Sequence, residues 1–100
     1  MNEIWCVVEC SSDGEIFQPD FFTSKEEAAA FIEEETKECL FNVADLPEAD
    51  RMTDIVDGKP IGEVWTDKYS WVWHGFEVTD KILSIYLMSY MKTKENNNNV

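Results

Sequence analysis

The chain has 100 residues, with 21 acidic and 8 basic side chains, a formal charge of −13, and 44% hydrophobic and 13% aromatic residues. That length makes one domain, and the aromatic content excludes a disordered acidic tail. No apolar run approaches the roughly 20 residues that span a bilayer, and so large a negative charge repels phosphates, which argues against direct contact with nucleic acid or an anionic membrane.

Residues Glu3 to Cys10 alternate, with Ile4, Cys6, Val8 and Cys10 on one face and Trp5, Val7 and Glu9 on the other. Period two with β-branched and aromatic residues predicts a strand. Ser11-Ser12-Asp13-Gly14 follows as a hairpin turn, and Glu15 to Gln18 is expected to return as a second strand that ends at Pro19 or runs along an edge.

Ser24 has the character of a helix N-cap, and Glu27, three residues on, completes a capping box. A helix is expected over Lys25 to Leu40, with Ala28, Phe31, Ile32, Glu35 and Cys39 on one stripe. Between Phe41 and Gly58, Asp45-Leu46-Pro47-Glu48 resembles a second helix start, and Met52, Ile55 and Val56 keep helical spacing up to Gly58. A short second helix is the expectation, with an ordered loop as the alternative.

Ile61 to Thr66 and Tyr69 to Val78 predict two further strands around an Asp67-Lys68 turn. The second is apolar on both faces, as a covered central strand would be, and Gly75 marks a bulge or a close approach. Trp65, Tyr69, Trp71 and Trp73 are expected in the core, with a protein-binding patch as the alternative. Asp80 can cap a final helix whose apolar residues run round most of its circumference, with a fifth strand paired back through Thr79-Asp80-Lys81 as the alternative. The predicted fold is α+β: a four-stranded antiparallel sheet from two hairpins with two or three packed helices, in the order ββα(α)ββα. One domain over 1–92 and a polar tail over 93–100 complete it.

No motif indicates catalysis, a cofactor or a metal. Cys6, Cys10 and Cys39 form no CxxC pair. Cys6 and Cys10 sit roughly 13 Å apart along an intact strand at 3.3 Å per residue, too far to bridge. His74 has no neighbour at ligand spacing, the serines lack a nucleophile context, and the glycines are isolated. Free thiols and the lack of a signal-peptide pattern at the N-terminus point to the cytoplasm.

The charge is unevenly placed. Residues 1–41 hold 11 acidic and 2 basic groups, 42–68 hold 7 and 3, and 69–100 hold 3 and 3. Glu33, Glu34, Glu35 and Glu38 crowd the C-terminal half of the first helix, where the dipole disfavours anions, and Glu34 and Glu38 repel each other at i,i+4. Phage and mobile-element inhibitors of restriction or CRISPR nucleases often share this size and charge. The expected function is therefore a non-enzymatic interaction protein that occupies the basic nucleic-acid-binding site of a nuclease, as a nucleic-acid mimic would. Glu26, Glu27, Glu33, Glu34 and Glu38 would present the charge, with Glu9, Asp13 and Glu15 adding to the field. The alternative is an assembly module that homodimerises through Ile82, Leu83, Tyr86, Leu87, Tyr90 and Met91.

Overall fold

A computed structural model describes residues 3–79. The order is β1 (Trp5–Ser11), β2 (Asp20–Phe22), α1 (Lys25–Val43), β3 (Asp50–Val56), β4 (Lys59–Trp65) and β5 (Ser70–Glu77). The strands make one antiparallel sheet in the order β2-β1-β5-β4-β3. The α+β class holds, but the sheet has five strands where four were expected, and one helix lies among the described residues. The expected helix from Asp80, with the dimer residues Ile82, Leu83, Tyr86, Leu87, Tyr90 and Met91, lies outside them, as does the tail over 93–100.

The largest difference is at residues 45–58. In place of a second helix, α1 ends at the C-cap Ala44, and the chain turns through Leu46 and Glu48 into β3. The spacing of Met52, Ile55 and Val56 is compatible with a helix, but Thr53, Ile55 and Val56 are β-branched and favour extended backbone. All seven residues of β3 pair with β4, from Asp50↔Trp65 to Val56↔Lys59. The two-residue loop, Asp57-Gly58, has φ of 52° and 77°. Two positive φ values in sequence are the type I′ hairpin turn, for which Asp-Gly is suited. Gly58 therefore closes a hairpin and does not end a helix.

The first hairpin is looser than expected. Glu15 to Phe17 does return beside β1, through Ser11 N–H to Glu15 O (2.9 Å) and Phe17 N–H to Glu9 O (3.0 Å), but only Cys10↔Ile16 forms a bridge. The paired strand β2 begins after Pro19, which lacks an amide hydrogen and so precedes the ladder.

α1 begins as the sequence predicts. Ser24 Oγ accepts from Glu27 N–H at 3.1 Å, and the Glu27 carboxylate accepts from both Thr23 N–H (3.0 Å) and Thr23 Oγ (2.7 Å). The helix lies across one face of the sheet. Its Ala28 and Ile32 join Trp5, Val7, Val64 and Trp73 in the core, and Thr36 is fully buried beside them. Contact is close because Gly62 lies under the helix: a Cβ there would stand 2.5 Å from Ile32 Cγ2 and 2.9 Å from Thr36 Cγ2. Gly75 is likewise a close approach, against Pro60.

Strand register sorts the remaining side chains. Paired residues of an antiparallel ladder share a face. Trp5, Val7 and Glu9 of β1 therefore face α1 together with Trp71 and Trp73 of β5. Cys6, Val8, Val72, Phe76, Ile61 and Trp65 fall on the other face, which no element among the described residues covers. Both expected alternations thus hold, and β5 is central. Trp73 is buried, Trp65 and Trp71 are half-buried, and Tyr69 is exposed at the strand start.

Candidate functional site: an acidic cleft between α1 and the β1–β5 floor

The expected acidic residues divide into three groups. Two have internal partners. Glu27 caps α1, and the bonds from Thr23 hold its carboxyl below the ordinary range. Glu33 accepts from Arg51 (2.9 Å) and Thr53 (2.8 Å) and lies 3.7 Å from Lys37 Nζ. These bonds, the Arg51 one above all, lower its pKa. Three others stand apart: Glu26 near the N-terminus of α1, Glu34 exposed along its length, and Asp13 in the first turn, where Ser11 Oγ donates to it.

In the third group, Glu9 and Glu38 share a cleft with a residue absent from the expected set, Glu35, while the charges of Glu15 and of a second such residue, Asp20, act on it from outside its lining. Register explains the meeting. Asp20 of β2 pairs with Val7, so it shares the helix-facing side of the sheet with Glu9. Glu35 and Glu38 descend from α1 onto the same region. Glu9, Glu35, Glu38, Cys39, Asn42, Val43, Trp71 and Trp73 line a cleft of about 290 Å³ between the helix and the sheet.

The cleft is electrostatically strained. Burial and then the Glu35 charge push the Glu9 carboxyl up; Asp20 and Glu15 push the same way, and Trp73 opposes them. Burial, Glu38 and Asp20 push Glu35 up. Burial, Glu9 and Glu35 push the Cys39 thiol to about 11. Each shift reports anions gathered out of water with no cation to offset them. Among the described residues both ion pairs go to Glu33, and none to Glu9, Glu35 or Glu38. The last turn of α1 carries no basic residue either.

Glu35 was legible in the sequence as the one acid on the apolar stripe of α1. Trp71 and Trp73 were legible as core aromatics but not as the floor of an acidic cleft. Among the described residues no group of three His, Cys, Asp or Glu side chains is arranged to hold a metal, and no helix is long and apolar enough to cross a membrane. Comparison with protein-family models, curated proteins and solved structures finds no match for this chain.

Proposed function

We propose that this protein is a non-enzymatic, cytoplasmic interaction protein whose acidic side binds a basic surface on another protein. The nucleic-acid-binding site of a nuclease is the partner surface that fits best. One observation carries the reading: Glu9, Glu35 and Glu38 line one cleft that no ion pair among the described residues reaches, and burial with neighbouring acids pushes the Glu9 and Glu35 carboxyls up. Solubility alone needs charges dispersed over the surface, not crowded against a tryptophan floor. Glu34 and Glu26 extend the negative field along the outside of α1, and Asp13 extends it along the first turn. Glu27 and Glu33 contribute charge while serving the fold. Such a surface steers a basic partner at long range and competes with the phosphates that partner would otherwise hold.

The test is capture of binding proteins at low and at high salt, with duplex DNA as competitor. The expected partner is a nucleic-acid-binding protein that salt or DNA releases. The Glu34→Lys/Glu38→Lys variant, which disturbs no internal hydrogen bond, should lose it. Capture indifferent to salt, to DNA and to that double reversal overturns the reading.

A second reading, self-assembly through the apolar C-terminal segment, draws on the apolar outer face of the sheet. Light scattering that finds a strict monomer at high concentration removes it.

A further inference from the structure

The outer face of the sheet supports a conclusion that is independent of the acidic-interface reading. An antiparallel sheet with one face in water alternates apolar-in with polar-out. Here α1 covers one face, and the face turned away from it is also apolar across its middle. Register sets Val8 of β1, Ile61 of β4, and Val72 and Phe76 of β5 side by side there. Phe21, paired with Cys6, and Ile16, bridged to Cys10, extend this surface past β1 and are 64% and 72% exposed. An apolar patch that runs across a sheet marks a surface that something else occupies.

Charge on this face is one-sided. Its acids are Asp50 and Asp54 of β3 and Glu63 of β4, and none lies on the β2, β1 or β5 strands. The chain itself carries a segment of matching composition outside the described residues. Residues 82–91 are mostly apolar and hold no charge, and no acid occurs between Lys81 and Lys94. Lys81, Lys92 and Lys94 are three of the eight basic residues in a chain of net charge −13.

Reach fits as well. β5 is the central strand, and Val78 N–H still bonds Ile4 O at 2.8 Å, so the chain passes into this segment from the middle of the sheet. The seven residues of β4 run about 20 Å at about 3.3 Å each. Residues 80–92 cover about 20 Å even at the helical rise of about 1.5 Å per residue.

We propose that residues 82–91 cover the outer face of their own chain's sheet, with Lys92 and Lys94 at the end where Glu63 and Asp50 lie. A second copy is a poorer occupant, because it brings another −13 charge onto this one. A tethered segment also acts at an effective concentration on the order of millimolar, which a free partner must exceed. With this face covered, the acidic side is the one presented to a partner.

The test is methyl-detected NMR on the full chain. Nuclear Overhauser contacts between the Tyr86 or Tyr90 ring and the methyls of Val8, Ile61 or Val72 are the expected result. A sample mixing labelled and unlabelled copies, recorded to show only contacts between copies, should lack them. Leu87→Asp should shift the Val8, Ile61 and Val72 methyls and leave those of Ile32 and Val64 in place. If that variant does not fold, the wild-type contacts decide. Absence of ring-to-methyl contacts overturns the inference. So does their appearance in the mixed sample, which puts the segment on a second copy and supports self-assembly instead. Neither result bears on the salt- and DNA-sensitive capture that tests the acidic interface.

Discussion

Arg51 Nη2 lies 2.9 Å from Glu33 Oε1, and its Nη1 lies 2.9 Å from Thr36 Oγ. One edge-strand arginine thus fastens β3 to α1 through two residues one helical turn apart. Thr36 is fully buried and its hydroxyl in turn donates to Glu33 O at 3.0 Å.

Thr36→Val keeps the volume over Gly62 but removes the acceptor for Arg51. The guanidinium loses a partner in a half-buried setting, so we expect a loss of about 1–3 kcal/mol. The urea midpoint should fall with an unchanged slope. An unchanged midpoint would mean that water replaces the hydroxyl freely.

Gly62→Ala tests the helix–sheet contact from the other side. The added methyl would stand 2.5 Å from Ile32 Cγ2 and 2.9 Å from Thr36 Cγ2, so α1 must lift or the side chains must turn. Overpacking of this kind costs about 1–3 kcal/mol. Thermal unfolding should show it as a clear fall in Tm, whereas wild-type Tm would place the helix farther from β4.

The acids give stability two opposite pH dependences. Glu9 and Glu35 have raised pKa values when folded, so the folded protein binds protons more readily there. Their contribution therefore improves as pH falls from neutral through the raised pKa values toward the ordinary carboxylate range. Glu27 and Glu33 are lowered, so theirs is lost as pH falls below that range. We expect maximum stability in mild acid, not at pH 7. Glu35→Gln should stabilise the protein at pH 7 and flatten the slope between neutrality and the maximum. Denaturant titrations across pH check both points, and a slope unaltered by the substitution would exclude Glu35 as its source.

β3 is an edge strand of the sheet among the described residues, and two of its amides are occupied. Arg51 N–H donates to Asp50 Oδ1 and Ile55 N–H to Asp54 Oδ1, each at 2.8 Å. Residues 51 and 55 are an even number apart, so their amides point the same way, outward from β4. Aspartates on an edge guard it against strand addition by another chain. Asp50→Ala/Asp54→Ala should associate in a concentration-dependent way while keeping its fold, as seen by size-exclusion chromatography with circular dichroism. A monomeric double variant would show that the aspartates do not guard the edge.

Local patterns in the sequence identify much of this molecule. The alternation of Trp5, Val7 and Glu9, the Ser24 cap with Glu27, and the two apolar faces of β5 all depend on neighbours a few residues away, and all appear where expected. Met52, Ile55 and Val56 are ambiguous for the same reason: their spacing suits a helix turn as well as a β-branched strand, and Asp57-Gly58 can stop one or join the other. Pairing of the whole segment with β4 across the Asp57-Gly58 turn decides between them, because a full ladder of backbone hydrogen bonds outweighs a weak local preference. The acidic bias of residues 1–41 is likewise a property of the sequence alone. That Glu9 and Glu35, 26 positions apart, share one cleft over Trp73 is not. The β1–β5 register and the seating of α1 on Gly62 bring them together, and charge repulsion depends on separation in space, not on composition.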